Sequence, residues 1–431
     1  MQVRLACEFY PLPNLSIPRI WYIKGIIRHM QLSSIPFFRL LFTTMVLLAW
    51  SLTLPAQKNL HEKSIVVDTH NDVLSSATLK GLNIEEDLSG KTHSDLERFR
   101  RGGIDIQIFS IFCDERFGNG TAFAHALREI DSLDAIVARN PRKMMLVNSP
   151  ADLRMAVRKK KLGAMKGVEG GHMIEDKMEY LDSLYNRGAR YLTLTWNNST
   201  SWASSAWDET YYDRQQPTPI EKKGLNDFGK QVVQRMNELG MMIDLSHVGE
   251  QTFNDAIAIS TKPVIVSHSC VYALCPVPRN LKDEQIRAIG KNGGVIFLNF
   301  YAGFLDSTYN RNKADFINKH QPIVDSLLQQ KMPAYEIDGY LSNRFPEEAE
   351  ALRPSMNVLL DHLDYIVRMI GVDHVGLGSD FDGIELAPQD LDGVEDMPNI
   401  TSALLVRGYS RQNIKKILGG NFIRVFKAVS K

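Results

Sequence analysis

Short apolar runs rich in β-branched residues recur along this chain. Each gives way to a polar residue and then to a stretch with helical spacing. The runs fall at 65–67, 104–111, 164–168, 191–195, 241–245, 263–267, 294–300 and 374–378. Runs of this kind read as buried strands. Between them, the clearest helix carries Phe228, Val232, Val233, Met236 and Leu239 on one face, behind Asn226 as its N-cap. Another spans 357–370, opened by Ser355 after Pro354 and closed by Gly371. Strands that alternate with helices imply a parallel sheet. Eight such units predict an α/β fold of the (β/α)8 TIM-barrel type. No glycine-rich dinucleotide fingerprint follows any run, which argues against a doubly wound sheet.

One segment breaks the alternation. Residues 304–353 are long, polar and rich in Asn, Lys, Asp and Gln, with helical patches such as 323–328. They predict a helical insertion between strands 7 and 8, either a lid over the barrel mouth or plain surface decoration. At the other end, residues 40–54 form an apolar run behind Arg39, with Lys24, Arg28 and His29 further back and Pro55-Ala56-Gln57 after it. Basic flank, apolar core and small-residue cut site make residues 1–56 an upstream extension and signal peptide, more compact if translation starts at Met30. That predicts an exported protein, periplasmic or extracellular. A retained N-terminal membrane anchor is the alternative, although the run is shorter than the ~20 residues of a spanning helix.

Composition excludes more than it selects. Hydrophobic residues at 44% and charged residues at 23% describe an ordinary globular chain. Lys+Arg of 50 balance Asp+Glu of 50, which leaves no electrostatic footprint for nucleic acid or an anionic membrane. Cys7, Cys113, Cys270 and Cys275 are too few for a disulfide framework and have no zinc-ribbon spacing. A homodimer is compatible with the sequence, which does not specify the oligomeric state.

Polar residues gather where the strands end. The first run passes into Asp68-Thr69-His70-Asn71-Asp72, and side-chain alternation points His70 and Asp72 the same way. The third run ends in Glu169 and Gly170-Gly171-His172, the fifth in His247, the sixth in His268 and the eighth in Asp380-Phe381-Asp382-Gly383. Barrel active sites lie at the C-terminal ends of the strands. Singly, such a histidine is more often a hydrogen-bonded loop residue, Glu169 could cap a helix, and Asp382-Gly383 is a turn signal. Jointly they point to a metal site, because independent loop residues need not cluster on one rim. His125, His320 and His362 fall in helical stretches and read as structural, whereas His172 is near enough to support Glu169. Imidazole and carboxylate donors without thiolate suit zinc, and also manganese, iron or cobalt. Five donors exceed what one catalytic zinc uses, and two ions sharing Glu169 fit the count. A water between two such ions has its pKa lowered towards ~7, which is hydrolytic chemistry.

Together the motifs VVDTHND, GVEGGH, TLTWNN, IDLSHV, VIVSHS and GLGSDFDG resemble those of the membrane dipeptidase (renal dipeptidase) family of binuclear zinc peptidases, in the same order from about residue 65 to about 426. The resemblance implies an amidohydrolase-like barrel over residues 63–428 that hydrolyses dipeptides with a hydroxide bridging two Zn2+ ions. It also implies tolerance of a D-residue at the C-terminal position. It makes His70, Asp72, Glu169, His247 and His268 the metal ligands, with Glu169 bridging. Asp380 joins Glu169 as catalytic and handles the proton. Arg279 grips the substrate's free carboxylate, and Trp196 and Tyr301 complete the substrate-binding set. A guanidinium pairs bidentately with a carboxylate. Fixing that end leaves room for one residue between clamp and metals, which selects small dipeptides as partners.

Two positions depart from the family pattern. The renal type has a histidine where this chain has Trp196, whose indole N–H can donate but cannot accept a proton. Asn198 falls where animal members have a disulfide cysteine, so Cys113 is expected to stay unpaired. Two rival readings remain. Another binuclear amidohydrolase, acting on a lactone, phosphoester or cyclic amide, would carry a His-x-His pair on the first strand and a modified lysine on the fourth. Here Asn71-Asp72 follows His70, and residues 191–198 contain no lysine. A non-catalytic barrel binding protein would be free to lose donors, yet all five and Asp380 are present.

Overall fold

The computed structural model describes residues 60–431, apart from 77, 115, 116, 118, 119, 212–222 and 333. The signal or anchor expected over residues 1–56 lies outside the described residues. Among the described residues, no helix is long and apolar enough to cross a membrane.

The strands are β1 (Val67–Asp68), β2 (Ile106–Phe112), β3 (Met144–Leu146), β4 (Leu162–Glu169), β5 (Ala189–Thr193), β6 (Met242–Asp244), β7 (Ile265–Ser269), β8 (Val295–Leu298) and β9 (Val375–Leu377). They pair in the order β1-β2-β4-β5-β6-β7-β8-β9, parallel throughout. The seam between β9 and β1 is closed by the Thr69 N–H donating to the Leu377 carbonyl at 3.2 Å and by a parallel bridge of Asn71 to Phe381. The result is a nearly closed eight-stranded parallel barrel with helices around it, as the alternation predicted.

β3 was not predicted. Its Met-Met-Leu sequence lacks β-branched residues, and it exists because of a gap. β5 joins β4 only from Lys166 onward, so the start of β4 would be left with an open edge; β3 pairs there, Met144 to Leu162 through Leu146 to Ala164.

Side-chain alternation builds two layers. Ile106, Ile108, Met165, Tyr191, Met242, Ile265 and Phe297 pack with Phe422, Val425 and Phe426 of the helix Asn421–Val429. The alternate set, including Phe109, Ile111, Val168, Leu192, Ile243 and Val266, packs in a separate cluster with the helices. Following the first set towards the strand C-termini leads to Ser110, Glu169, Thr193, Asp244, Ser267 and Asn299, all buried and all polar. The barrel interior is therefore apolar at one end and polar at the other, and the polar end is where the chemistry gathers.

The predicted helices form with the predicted caps. Asp227–Leu239 begins with the Asn226 side chain accepting from the Gly229 N–H and ends at Gly240, φ +82°. Met356–Ile370 begins with Ser355 accepting from the Asn357 N–H. The excursion between β8 and β9 folds into helices Ser307–Lys319, Gln321–Gln329, Ala334–Arg344 and Pro346–Leu352. Phe316, Val324, Leu327, Ile337 and Leu341 give it a small core of its own.

Candidate metal centre

Every donor predicted for the rim arrives there. Glu169 is the last residue of β4 and His268 lies within β7. His70 and Asp72 follow β1, His247 follows β6 and Asp380 follows β9. His247 and Asp380 both hold left-handed backbone, φ +65° and +60°. Such backbone is uncommon for non-glycine residues and is kept where surrounding structure imposes it.

The two oxygens of Glu169 face different partners. Oε2 lies 3.3 Å from His70 Nε2, which is also 3.3 Å from Asp72 Oδ2 and 3.9 Å from Asp380 Oδ1. Oε1 lies 2.9 Å from His247 Nε2 and 3.4 Å from His268 Nε2. Donor atoms of His70, Asp72 and Glu169 thus form one group that could hold an ion. Those of Glu169, His247 and His268 form a second, and His70, His268 and Asp380 a third that overlaps both.

Hydrogen bonding behind each ring decides what the donors offer. The Tyr191 hydroxyl donates to the Thr69 carbonyl at 3.2 Å, so it accepts from His70 Nδ1–H at 2.8 Å. His247 Nδ1–H donates to Asn197 Oδ1 at 3.0 Å. The Ser267 hydroxyl donates to Asp244 Oδ2 at 2.6 Å and so accepts from His268 Nδ1–H at 2.8 Å. In its neutral form each ring is therefore the tautomer whose Nε2 carries a bare lone pair. His247 Nε2 and His268 Nε2 then face each other at 3.0 Å with no proton between them. Among the described residues, His70 Nε2 and Asp72 Oδ1 are buried and find no hydrogen-bond partner. Converging lone pairs and orphaned donor atoms fit a bound cation, and they are costly without one.

The electrostatics agree. Burial opposes ionisation of Glu169, but His70, His247 and His268 outweigh it and hold the carboxyl well below its usual range. Burial, with Arg279 nearby, pushes His247 down to about 3, and burial also pushes His268 well down. His70 goes the other way: burial disfavours its charge, but Tyr191, Glu169 and Asp72 hold its pKa well above the ordinary value. A proton there answers the same excess of negative charge that a cation would. Burial, with Asp72 and Glu169 close by, raises Asp380 well above the usual carboxylate range against the pull of His70.

The predicted substrate-side residues lie around this centre. Arg279 is 9% exposed, its Nη2 donates to the His268 carbonyl at 3.1 Å, and its Nε has no partner among the described residues. It pairs with no carboxylate among the described residues. Trp196 packs against Phe112 at 4.9 Å and lies 6.4 Å from the His247 ring. Tyr301 follows β8, its N–H bonded to Asn299 Oδ1. His172 turns to the Cys113 carbonyl at 2.9 Å rather than bonding Glu169. His362 joins the Val271 N–H to the Leu305 carbonyl, and His320 stacks on Phe345, both structural as expected. Cys113, Cys270 and Cys275 are buried free thiols.

Several supporting residues were not singled out from sequence. Tyr191, Asn197, Ser267 and Asp244 set the tautomers, and Asn299 donates to Asp380 Oδ2 at 2.7 Å. A weak signal exists for Asp244: an aspartate inside an otherwise apolar strand must find donors. Gly167 is the quieter case. A Cβ there would lie 2.0 Å from the Tyr191 ring, so only glycine leaves the ring room to reach His70.

An eight-stranded parallel barrel with imidazoles and carboxylates converging on its C-terminal rim is the architecture of a metal-dependent hydrolase. Comparison with known proteins narrows that class. A family model described as membrane dipeptidase, peptidase family M19, matches residues 55–431. Dipeptidase 3 of Mus musculus is 30% identical over 370 residues, 84% of this chain and 64% of that protein, so the chain spans less than two thirds of its length. An uncharacterised dipeptidase of Schizosaccharomyces pombe is 30% identical over 389 residues, 86% of this chain and 82% of that one. Among solved structures, the probable dipeptidase PvdM of Pseudomonas aeruginosa is 26% identical with TM-score 0.70, over 87% of this chain and 98% of that one. A metallopeptidase of Rhodobacter sphaeroides, liganded with a phosphinate mimic of L-Ala-D-Ala, shares the fold at 23% identity and TM-score 0.67, over 85% of this chain and 100% of that one. The chain belongs to the membrane dipeptidase family of metallopeptidases.

Proposed function

We propose that this protein hydrolyses dipeptides with two divalent cations, zinc by preference, and accepts a D-residue at the C-terminal position. The observation that carries the reading is the division of Glu169 between two donor groups, backed by three imidazoles whose Nε2 atoms converge on it. His70, Asp72 and Glu169 would hold one cation, and Glu169, His247 and His268 the other. Bound there, such cations supply a water that ionises near neutrality and a Lewis acid for a carbonyl oxygen.

The protein's own residues do the rest. Arg279 is a buried guanidinium with an unpartnered Nε, suited to the free carboxylate of a short peptide. Its seat on the carbonyl of His268 sets that carboxylate close to the metal donors, which favours a short peptide over a long one. Asp380, steered by Asn299 and displaced upward in pKa, takes the proton released at the attacking oxygen and delivers it to the leaving amine. Trp196, packed on Phe112, presents an apolar wall and one N–H donor where the renal type has a histidine. The mouse and fission-yeast relatives named as dipeptidases, and the dipeptide mimic in the Rhodobacter structure, support the substrate class. Residues 1–56, with their basic flank and apolar run, support export.

The test is a hydrolysis panel of L-Xaa-L-Xaa and L-Xaa-D-Xaa dipeptides beside tripeptides, with metal content measured in parallel. Hydrolysis confined to dipeptides, abolished by a chelator and restored by zinc, is expected. Fully metal-loaded protein inert across the panel would overturn the reading.

A further inference from the structure

The helical excursion between β8 and β9 has no part in that chemistry, yet a partly buried charged cluster fastens it to the rim. Lys313, on Ser307–Lys319, places Nζ 2.8 Å from the Tyr301 hydroxyl, 2.6 Å from Asp338 Oδ2 and 3.9 Å from Glu385 Oε2. These partners come from three places: Tyr301 just after β8, Asp338 from another excursion helix, and Glu385 from the loop after β9. The ammonium also lies 5.5 Å from the Tyr301 ring centre and 5.9 Å from that of Tyr309. Burial disfavours its charge, but Glu385, Tyr309 and Asp338 hold its pKa above the ordinary lysine value. A long side chain held this way has given up its rotamer freedom, and Tyr301 is fixed with it.

From Tyr301 the packing continues to the carboxylate clamp. The Tyr301 ring meets Phe304 edge-on at 4.9 Å and 86°. Phe304 in turn lies under the Arg279 guanidinium at 5.2 Å. Asn280, next to Arg279, donates to the Phe304 carbonyl at 2.7 Å. Among the described residues the Arg279 guanidinium makes one hydrogen bond, to the His268 carbonyl, so the Phe304 face is a second surface that aims it. In the opposite direction the Tyr301 N–H donates to Asn299 Oδ1 at 2.6 Å, on the residue that holds Asp380.

We propose that Lys313 is a positioning residue for the substrate's carboxylate end: by gripping Tyr301 it holds Phe304 beneath Arg279, which makes the excursion part of the binding-site wall. The inference rests on Arg279 binding the free carboxylate of a dipeptide. It assigns the excursion a specificity role that neither a passing lid nor surface decoration would have.

The experiment compares wild type with Lys313→Met and Asp338→Asn on a dipeptide and on its C-terminal amide, which lacks the carboxylate. Metal content and thermal stability are recorded for each. Lys313→Met should raise KM for the dipeptide about tenfold with kcat changed less than about threefold, at unchanged metal content. KM or the inhibition constant for the amide should move by less than about twofold. Asp338→Asn, which loosens the grip from the excursion side, should shift the dipeptide KM in the same direction by less. It carries the test if the lysine variant fails to fold. Dipeptide KM unchanged in the folded variants, or rising equally for dipeptide and amide, would overturn the inference while leaving dipeptide hydrolysis intact. Wild-type protein inert to both compounds would overturn the dipeptidase reading, and this inference with it.

Discussion

Deleting one hydroxyl that touches no candidate ligand atom should weaken metal binding. Tyr191→Phe keeps the ring in its place beside Gly167, so little cavity is created. It removes the acceptor of the 2.8 Å bond from His70 Nδ1 and the donor to the Thr69 carbonyl. Both groups are fully buried, and an unsatisfied buried polar group costs ~1–3 kcal/mol. A net loss of about 2–4 kcal/mol in stability is therefore expected, less whatever local relaxation recovers. The larger consequence is chemical. Without that acceptor the neutral His70 ring, the form that can bind a cation, gains by placing its proton on Nε2 beside Asp72 and Glu169, where it competes with the cation. Losing such a supporting bond typically costs ~10–100-fold in metal affinity. Each tenfold loss also removes ~1.4 kcal/mol of the stabilisation that a fixed zinc concentration confers. Competitive chelator titration gives the affinity, and calorimetry with and without zinc gives the stabilisation. The Tm gap between zinc-loaded and zinc-free protein should narrow in the variant. A variant binding zinc within twofold of wild type, with an unchanged Tm gap, would refute the tautomer argument.

Two further outcomes separate the roles of other parts. Asp380→Asn keeps the size and the left-handed turn at φ +60° but cannot carry a proton. Metal content should be unchanged while kcat falls ~10²–10⁴-fold, and activity within tenfold of wild type would remove Asp380 from proton transfer. Leu341, fully buried in the core of the excursion, should cost ~2–5 kcal/mol when cut to alanine. Because that core is separate from those of the barrel, hydrogen exchange should speed up over Ser307–Leu352 and not along the strands; uniform acceleration would show a single cooperative unit.

The barrel and its donors could be read from the chain because both follow from local rules. Val66-Val67 before Asp68-Thr69-His70 and Ile243 before Asp244-Leu245-Ser246-His247 are apolar strands that end in polar residues. In a parallel barrel all such ends meet at one rim. His70 and Glu169 are far apart in sequence, yet the fold class alone brings them together. Helix limits such as Asn226 and Ser355 were readable for the same reason, since a cap satisfies N–H groups within its own first turn.

What tertiary structure decided was how those donors are poised. Nothing near His70 in the sequence announces Tyr191, and nothing near Tyr191 announces that Gly167 must lack a side chain for the ring to fit. β3 answers a vacant edge on β4, and its Met-Met-Leu carries no strand signal. Lys313 reads as one more charge on a polar helix until folding sets it between Tyr301, Asp338 and Glu385. Strand identity and rim membership depend on neighbours along the chain, and the sequence holds that information openly. Tautomer, ionisation and aim depend on neighbours across the barrel, whose distances exist only once the sheet has closed.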